Sequence, residues 1–279
     1  MKRFLLFSLL ILFIQIGSAS GQKFSFVFLP DIHLNPDSLV EANFDMLVKK
    51  VNRLNPDFIL TGGDMIYTAK NLDEKRAAVL FDFMDKKFRE FKMPVYFTMG
   101  NHETVGILAE SGMEVSHPMW GKGMYEKLYG KRFYSFTHAG WKFLVLDGIK
   151  ILEKERNYTQ GIDSLQIEWL KNELAATDRN VPLVISVHTP LLNPHAIESS
   201  QSQFLSKNSQ SVLDLFKDHN LKIVLEGHTH LYMNLFFEGT HYISGGSTSY
   251  SSDGNKYDHG FVIVKITNDN LSFEFIPFF

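Results

Sequence analysis

Five short apolar runs, each closing on a turn that carries aspartate, asparagine or histidine, constrain this chain more than any other feature. Residues 24–29 lead into Pro30-Asp31-Ile32-His33, Phe58–Thr61 into Gly62-Gly63-Asp64, and residues 94–99 into Gly100-Asn101-His102-Glu103. Leu183–Val187 ends at His188, and residues 223–225 at Glu226-Gly227-His228-Thr229-His230. Apolar runs this short, bounded by turn residues, read as buried strands. Longer amphipathic segments separate them, so the chain reads as α/β. In open α/β sheets the ligand crevice lies outside the carboxyl ends of the strands, so turns far apart in the chain can converge there.

The spacing predicts the elements between. Ser38–Leu54 is expected to be a helix, with Ser38 as N-cap and Phe44, Leu47, Val48 and Val51 on one face. A charged helix follows over residues 72–91, apolar at Val79, Leu80, Phe83 and Phe88. Residues 113–129 are helical in part, with Met119, Trp120 and Tyr125 as packing groups. Residues 133–136 and Trp141–Leu146 form a hairpin around His138-Ala139-Gly140. Ser164–Ala175 is a helix with a stripe of Leu165, Ile167, Trp169, Leu170 and Leu174, capped by Asp163 or Ser164. Residues 193–210, rich in Ser and Gln, form a rim of the site, and 212–219 is helical. Strand pairs over 233–237, 241–244, Gly260–Thr267 and 271–276 come last, which implies two packed sheets with helices outside.

The 279 residues, 44% hydrophobic, suffice for one sizeable core, and no repeat divides them. Residues 22–279 are expected to form a single domain. With 28 basic and 31 acidic side chains, a net charge of −3 and no basic block, nothing electrostatic calls for nucleic acid as a standing partner. Residues 1–21 differ in kind. Lys2-Arg3 precedes an apolar run over 4–16 and then Gly17-Ser18-Ala19-Ser20-Gly21, the layout of a cleavable secretory signal. The run is shorter than the roughly 20 residues of a spanning helix. The expectation is export, cleavage near Ala19 or Gly21, no membrane span afterwards, and a periplasmic or extracellular home. Zero cysteines exclude disulfides and thiolate-type structural zinc.

The residue types point to a chemistry. Two glycines let the backbone turn sharply before Asp64, and one carboxylate can bridge two metal ions about 3.5 to 4 Å apart. Imidazole and carboxylate donors suit Zn, Fe and Mn. Two dications around a shared carboxylate generate hydroxide at neutral pH and clamp phosphoryl oxygens through in-line displacement. His102, next to Asn101 on the same turn, is placed to act as general acid or charge stabiliser.

Taken together, the five turns resemble the calcineurin-like metallophosphoesterase superfamily over residues 24–230. The resemblance implies a four-layer αββα sandwich of two mixed β-sheets flanked by helices, with a dinuclear site at the strand ends. It implies one metal on Asp31, His33, Asp64 and His230, a second on Asp64, Asn101, His188 and His228, and His102 against the phosphate. The ions would be divalent or mixed-valence Mn, Fe or Zn, and the substrate a small phosphomonoester or phosphodiester attacked in line by a metal-activated hydroxide. Gln166-Ile167-Glu168-Trp169-Leu170 is similar to bacterial cyclic-nucleotide phosphodiesterases and purple acid phosphatase-like relatives.

Gly63-Asp64-Met65-Ile66-Tyr67 is similar to the purple acid phosphatase motif whose tyrosine binds ferric iron, although that group has glycine where His33 stands. In the serine/threonine phosphatases of the superfamily, the position of Tyr67 holds an aspartate that orients the catalytic histidine. Tyr67 is therefore either a neighbour packed beside the site or a metal ligand. Two further readings keep the fold: a metal-binding scaffold with little turnover, and a sphingomyelinase-like head-group phosphodiesterase whose Phe275-Ile276-Pro277-Phe278-Phe279 end meets a membrane. His195, seven residues past His188, is a candidate substrate contact. His117, His138, His219, His241 and His259 read as ordinary polar residues, and Gly245-Gly246-Ser247-Thr248 as a tight connection.

Overall fold

The computed structural model describes residues 23–194, 205–248, 258–268 and 270–278. The expected signal segment and His195 lie outside the described residues. The strands are β1 (Lys23–Leu29), β2 (Phe58–Thr61), β3 (Val95–Tyr96), β4 (Tyr134–His138), β5 (Trp141–Leu146), β6 (Ile149–Leu152) and β7 (Asn157–Gln160). They continue with β8 (Leu183–Val187), β9 (Leu221–Glu226), β10 (Tyr232–Phe237), β11 (Thr240–Gly245), β12 (Gly260–Thr267) and β13 (Asn270–Pro277). The main helices are α1 (Ser38–Leu54), α2 (Glu74–Phe88), α3 (Gly123–Tyr129) and α4 (Ser164–Ala175).

Side-chain alternation along each strand sorts the interior into three layers. In β1, Phe24, Phe26 and Phe28 face one way and Val27 and Leu29 the other; β2 and β12 split in the same manner. In β5, Trp141, Phe143 and Val145 oppose Leu144 and Leu146. The shared set, with Phe58, Val184, Ile223, Leu225 and Ile243, fills the space between the two sheets. The opposite faces bury α1 and α2 on one side and α4 on the other. Three apolar interfaces between four layers make an αββα sandwich of two mixed sheets, as expected. The first sheet runs β13-β12-β1-β2-β3 and the second β10-β11-β9-β8-β5-β4. Strands β1 and β2 are parallel, as are β5, β8, β9 and β11, so the motif-bearing ends of each set point the same way.

Local physics explains where expectation and structure part. Asp37, not Ser38, caps α1, accepting from the amides of Leu39 and Val40. In α2 the buried apolar positions are Ala77, Phe81, Met84 and Phe88, a 3.6-residue stripe that leaves Val79 60% exposed. Leu165 is likewise 66% exposed on α4. Only Val95–Tyr96 of residues 94–99 pairs as a strand, while the partly helical stretch expected over 113–129 is α3 at its end. The hairpin of β6 and β7 was not expected. The final strands pair antiparallel as expected, β10 with β11 and β12 with β13, and the pairs divide between the sheets: β11 runs parallel to β9, while β12 returns to the first sheet against β1.

Phe58 sits 1% exposed between Phe26, stacked at 5.0 Å, and Phe143, edge-on at 5.3 Å. Phe58→Ala should cost about 3–5 kcal/mol in urea unfolding, whereas Val79→Ala should stay within about 0.5 kcal/mol.

Candidate metal centre

Past the ends of β1 and β2 the two segments stay zipped together. The amides of Asp31, His33 and Leu34 donate to the carbonyls of Gly63, Asp64 and Met65 at 3.0, 2.9 and 2.9 Å. This path is strained: Asp31, His33, Asp64, His228 and His230 all have φ between 49° and 70°. Non-glycine residues in that region cost on the order of 1–3 kcal/mol each and persist only where their surroundings over-determine them.

Glu103 supplies part of that determination. Its fully buried carboxylate accepts four main-chain N–H bonds, from Gly100 at 2.7 Å and Asp64 at 3.0 Å on Oε2, and from Met65 at 2.7 Å and Ile66 at 3.2 Å on Oε1. Burial and the charge of Asp64 push its pKa up to about 7, while the four donors favour the acceptor-only carboxylate. The turns also require glycine. A Cβ on Gly100 would stand 2.3 Å from Asp64 Oδ1, and one on Gly63 2.6 Å from His188 Nδ1.

The second sheet delivers the histidines. His188 Nδ1 donates to Gly62 O at 2.8 Å, which turns Nε2 toward Asn101 Oδ1 at 3.0 Å and Asp64 Oδ2 at 3.3 Å. The His228 amide donates to both oxygens of Asp31 at 3.0 Å. His230 Nε2 lies 3.4 Å from Asp31 Oδ1 and 3.1 Å from His33 Nε2, a spacing of two imidazole nitrogens that calls for a proton or a cation. Ser247 Oγ braces the Asp31 carbonyl at 3.0 Å, so the Gly-Gly-Ser-Thr turn buttresses the site as well as connecting strands.

Ligand-capable atoms gather in three groups, each within 4.8 Å: Asp31, His33 and His230; His33, Asp64 and His102; Asp64, His188 and His228. The first and third are subsets of the two ligand sets expected from the sequence, and Asn101 joins the third through His188. His117, His138, His219, His241 and His259 belong to none of them.

Burial disfavours charge on Asp31 and Asp64, but His230 beside the first and His102 and His188 beside the second outweigh it and hold both acids below their ordinary range. Burial pushes His33 and His228 down to about 3, so both are neutral imidazoles at pH 7. Burial opposes charge on His188 too, yet Asp64 raises it to about 9. The neutral imidazoles of His33 and His228, the Asn101 amide oxygen and two ionised carboxylates facing one space fit a bound cation of the Mn, Fe or Zn type, and the positive charge that the two acids draw onto His188 and His230 marks where such a cation would replace a proton.

His102 Nδ1 donates to the main-chain carbonyl of Tyr67, and the His102 amide donates to Asp64 Oδ1 at 2.8 Å. A peptide carbonyl thus does the orienting that an aspartate does in the serine/threonine phosphatases. The Tyr67 residue is 57% exposed. Two residues the sequence reading had not singled out stand beside His102 and its neighbours: Lys70, with Nζ 3.2 Å from His102 Nε2, and Tyr158, whose ring centre lies 5.5 Å from that Nζ.

A model of the calcineurin-like phosphoesterases matches residues 24–232. The chain belongs to that family. The chain is 24% identical over 250 residues to tartrate-resistant acid phosphatase type 5 of Mus musculus, covering 84% of this chain and 72% of the relative. It is 21% identical over 209 residues to a 3',5'-cyclic-nucleotide phosphodiesterase of Nostoc sp., covering 75% and 69%. A transmembrane protein with metallophosphoesterase domain from Danio rerio is 25% identical over 246 residues, 83% of this chain but 48% of that protein. The chain likewise spans only 25% of purple acid phosphatase 15 of Arabidopsis thaliana. In structure it superposes on a dimetal phosphatase from Danio rerio with a TM-score of 0.67 at 15% identity, over 92% of this chain and 96% of the other.

Glu103→Gln keeps the shape but turns an NH2 group against main-chain donors. It should lower stability by about 1–3 kcal/mol and reduce the number of ions retained per chain, read by urea unfolding and elemental analysis. An unchanged ion count would remove Glu103 from the support of the site.

Proposed function

We propose that this phosphoesterase is an exported hydrolase of small phosphomonoesters or phosphodiesters that works with two divalent or mixed-valence ions. The observation that carries this reading is the meeting of seven donors from both sheets around Asp64. One ion would rest on Asp31, His33, Asp64 and His230, the other on Asp64, Asn101, His188 and His228. Bound there, the pair would supply hydroxide at neutral pH and neutralise charge on the phosphoryl oxygens. The chain's own part is positional. The His102 amide bond to Asp64 Oδ1 couples the imidazole to the shared carboxylate, and the Tyr67 carbonyl fixes the proton on Nδ1, so that Nε2 faces the site. Burial, helped by the charge of Lys70, holds the His102 pKa down against the pull of Asp64, so the resting imidazole is neutral. The acid phosphatase and cyclic-nucleotide phosphodiesterase relatives support ester hydrolysis of phosphate in one form or the other.

The purified protein should cleave p-nitrophenyl or bis-p-nitrophenyl phosphate, stop on chelation and recover with Mn, Zn or Fe. Asn101→Ala and His188→Ala should each lose more turnover than the roughly 10- to 100-fold that removing a supporting partner costs. His102→Ala should lose about 10²- to 10⁴-fold with its ion content intact. Near wild-type rates in the first two variants would overturn the assignment.

The same architecture occurs in an anchoring protein: GAP50, the anchor in the inner membrane complex of Plasmodium, superposes with a TM-score of 0.57 at 16% identity, over 92% of this chain and 85% of that one. The full donor set here favours turnover over a scaffold role. Export rests on residues 1–21 alone. The mature protein recovered outside the cytoplasm should begin between Ser20 and Gln22, and an intact Met1 on a cytoplasmic protein would refute it.

A further inference from the structure

We propose that Lys70 is the cation that selects phosphomonoesters over phosphodiesters. The inference rests on the reading of the site as a phosphoester hydrolase and names its substrate class.

The backbone at Lys70 is built into the loop that carries His102. Ala69 N–H donates to His102 O at 2.8 Å, Gly106 N–H returns to Ala69 O at 3.0 Å, and Leu108 N–H donates to Lys70 O at 2.9 Å. The side chain is half-buried and ends 3.2 Å from His102 Nε2. Because His102 Nδ1 already donates to the Tyr67 carbonyl, Nε2 is the accepting nitrogen and the ammonium is the donor. His102 in turn shares a 4.8 Å cluster with His33 and Asp64, so the charge of Lys70 stands at the edge of the space where a phosphoryl group would sit.

Tyr158, on β7, sets the other side. Its ring centre is 5.5 Å from Lys70 Nζ, an arrangement in which the electron-rich face holds a cation without neutralising it. Burial raises the Tyr158 pKa to about 12, so no phenolate competes for the charge. Among the described residues no carboxylate lies within ion-pair distance of Lys70. An ammonium has three donors. One is spent on His102 and, among the described residues, no second acceptor bonds the ammonium, so hydrogen-bonding capacity remains for an incoming anion.

The chemistry then discriminates. A phosphodiester has two non-bridging oxygens and one charge, whereas a phosphomonoester dianion has a third terminal oxygen and a second charge. A half-buried ammonium beside the phosphoryl position supplies a charge-assisted hydrogen bond to that extra oxygen. Screening is weaker there than in bulk water, so the second charge is felt. A diester, with an alkyl group in that place, gains little from it.

The experiment uses the metal-loaded full chain as wild type, Lys70→Met and Lys70→Arg, with ion content checked in each. Calorimetry would measure methyl phosphate and dimethyl phosphate binding, and steady-state kinetics would use the mono- and bis-p-nitrophenyl esters. Lys70→Met keeps the apolar stem against Tyr158. It should weaken methyl phosphate by about tenfold or more, the loss of one charge-assisted bond, and leave dimethyl phosphate within about twofold. KM for the monoester should rise more than kcat falls, and Lys70→Arg should restore most of the affinity. Equal losses for both ligands, or no loss for either, would overturn the role of Lys70 even if turnover is robust. Selective methyl phosphate binding that Lys70→Met abolishes, in a wild type that cleaves neither ester, would uphold Lys70 and refute the hydrolase reading.

Discussion

Glu103 grips the main chain of two turns at once, and the donors of the first sheet depend on that grip. A single carboxylate satisfies the amides of Asp64, Met65, Ile66 and Gly100, which would otherwise be buried donors at a cost of about 1–3 kcal/mol apiece. It fixes the approach of the Asp64 and Asn101 turns to one another, and with it the left-handed backbone at Asp64. Asp31 is braced in a comparable way from the opposite side, by the His228 amide and the Ser247 hydroxyl. The candidate ligands are therefore held in place by the chain's own hydrogen bonds.

The frame that carries this grip is apolar and largely aromatic. Phe26, Phe58, Phe136 and Phe143 stack or meet edge to face between the sheets, where close packing leaves little freedom for one sheet to slide over the other. At the site end that interface changes character. Thr98 and Ser186 share a hydrogen bond of 2.8 Å across the layers, and His188 reaches from the second sheet to Gly62 of the first. Packing thus sets the distance between sheets, and polar contacts set the register of their ends.

Much of this was legible from the residues, and the parts that were not have identifiable reasons. Buried strands announce themselves as unbroken apolar runs, so Phe58–Thr61 and Leu183–Val187 were read to the residue, as were α1 and α4, whose stripes repeat over several turns. The β6–β7 hairpin was missed because Asn157–Gln160 has no apolar alternation to reveal it. Val79 and Leu165 misled because hydrophobicity alone does not say which face of a helix is covered. Tyr67 invited attention to its phenol, yet its contact with His102 is through a carbonyl, which every residue possesses and no letter code displays. Glu103 stood in a motif already singled out, but a side chain that bonds only to peptide groups leaves no partner in the sequence to pair it with. Lys70 looked like any other lysine until the loop beside it was seen to fold back through Ala69 and Gly106.

The donors come from both layers: Asp31, His33, Asp64 and Asn101 from the first sheet, His188, His228 and His230 from the second. An ion held across that seam can be bound only by the folded chain, so it raises stability by RT ln(1 + [L]/Kd), about 2.7 kcal/mol at a hundredfold excess over Kd. Such an ion acts as a rivet between halves that are otherwise glued by oil. With such an ion in place, the endurance of the protein would follow the mineral content of whatever medium surrounds it, and starvation for metal would shorten its life.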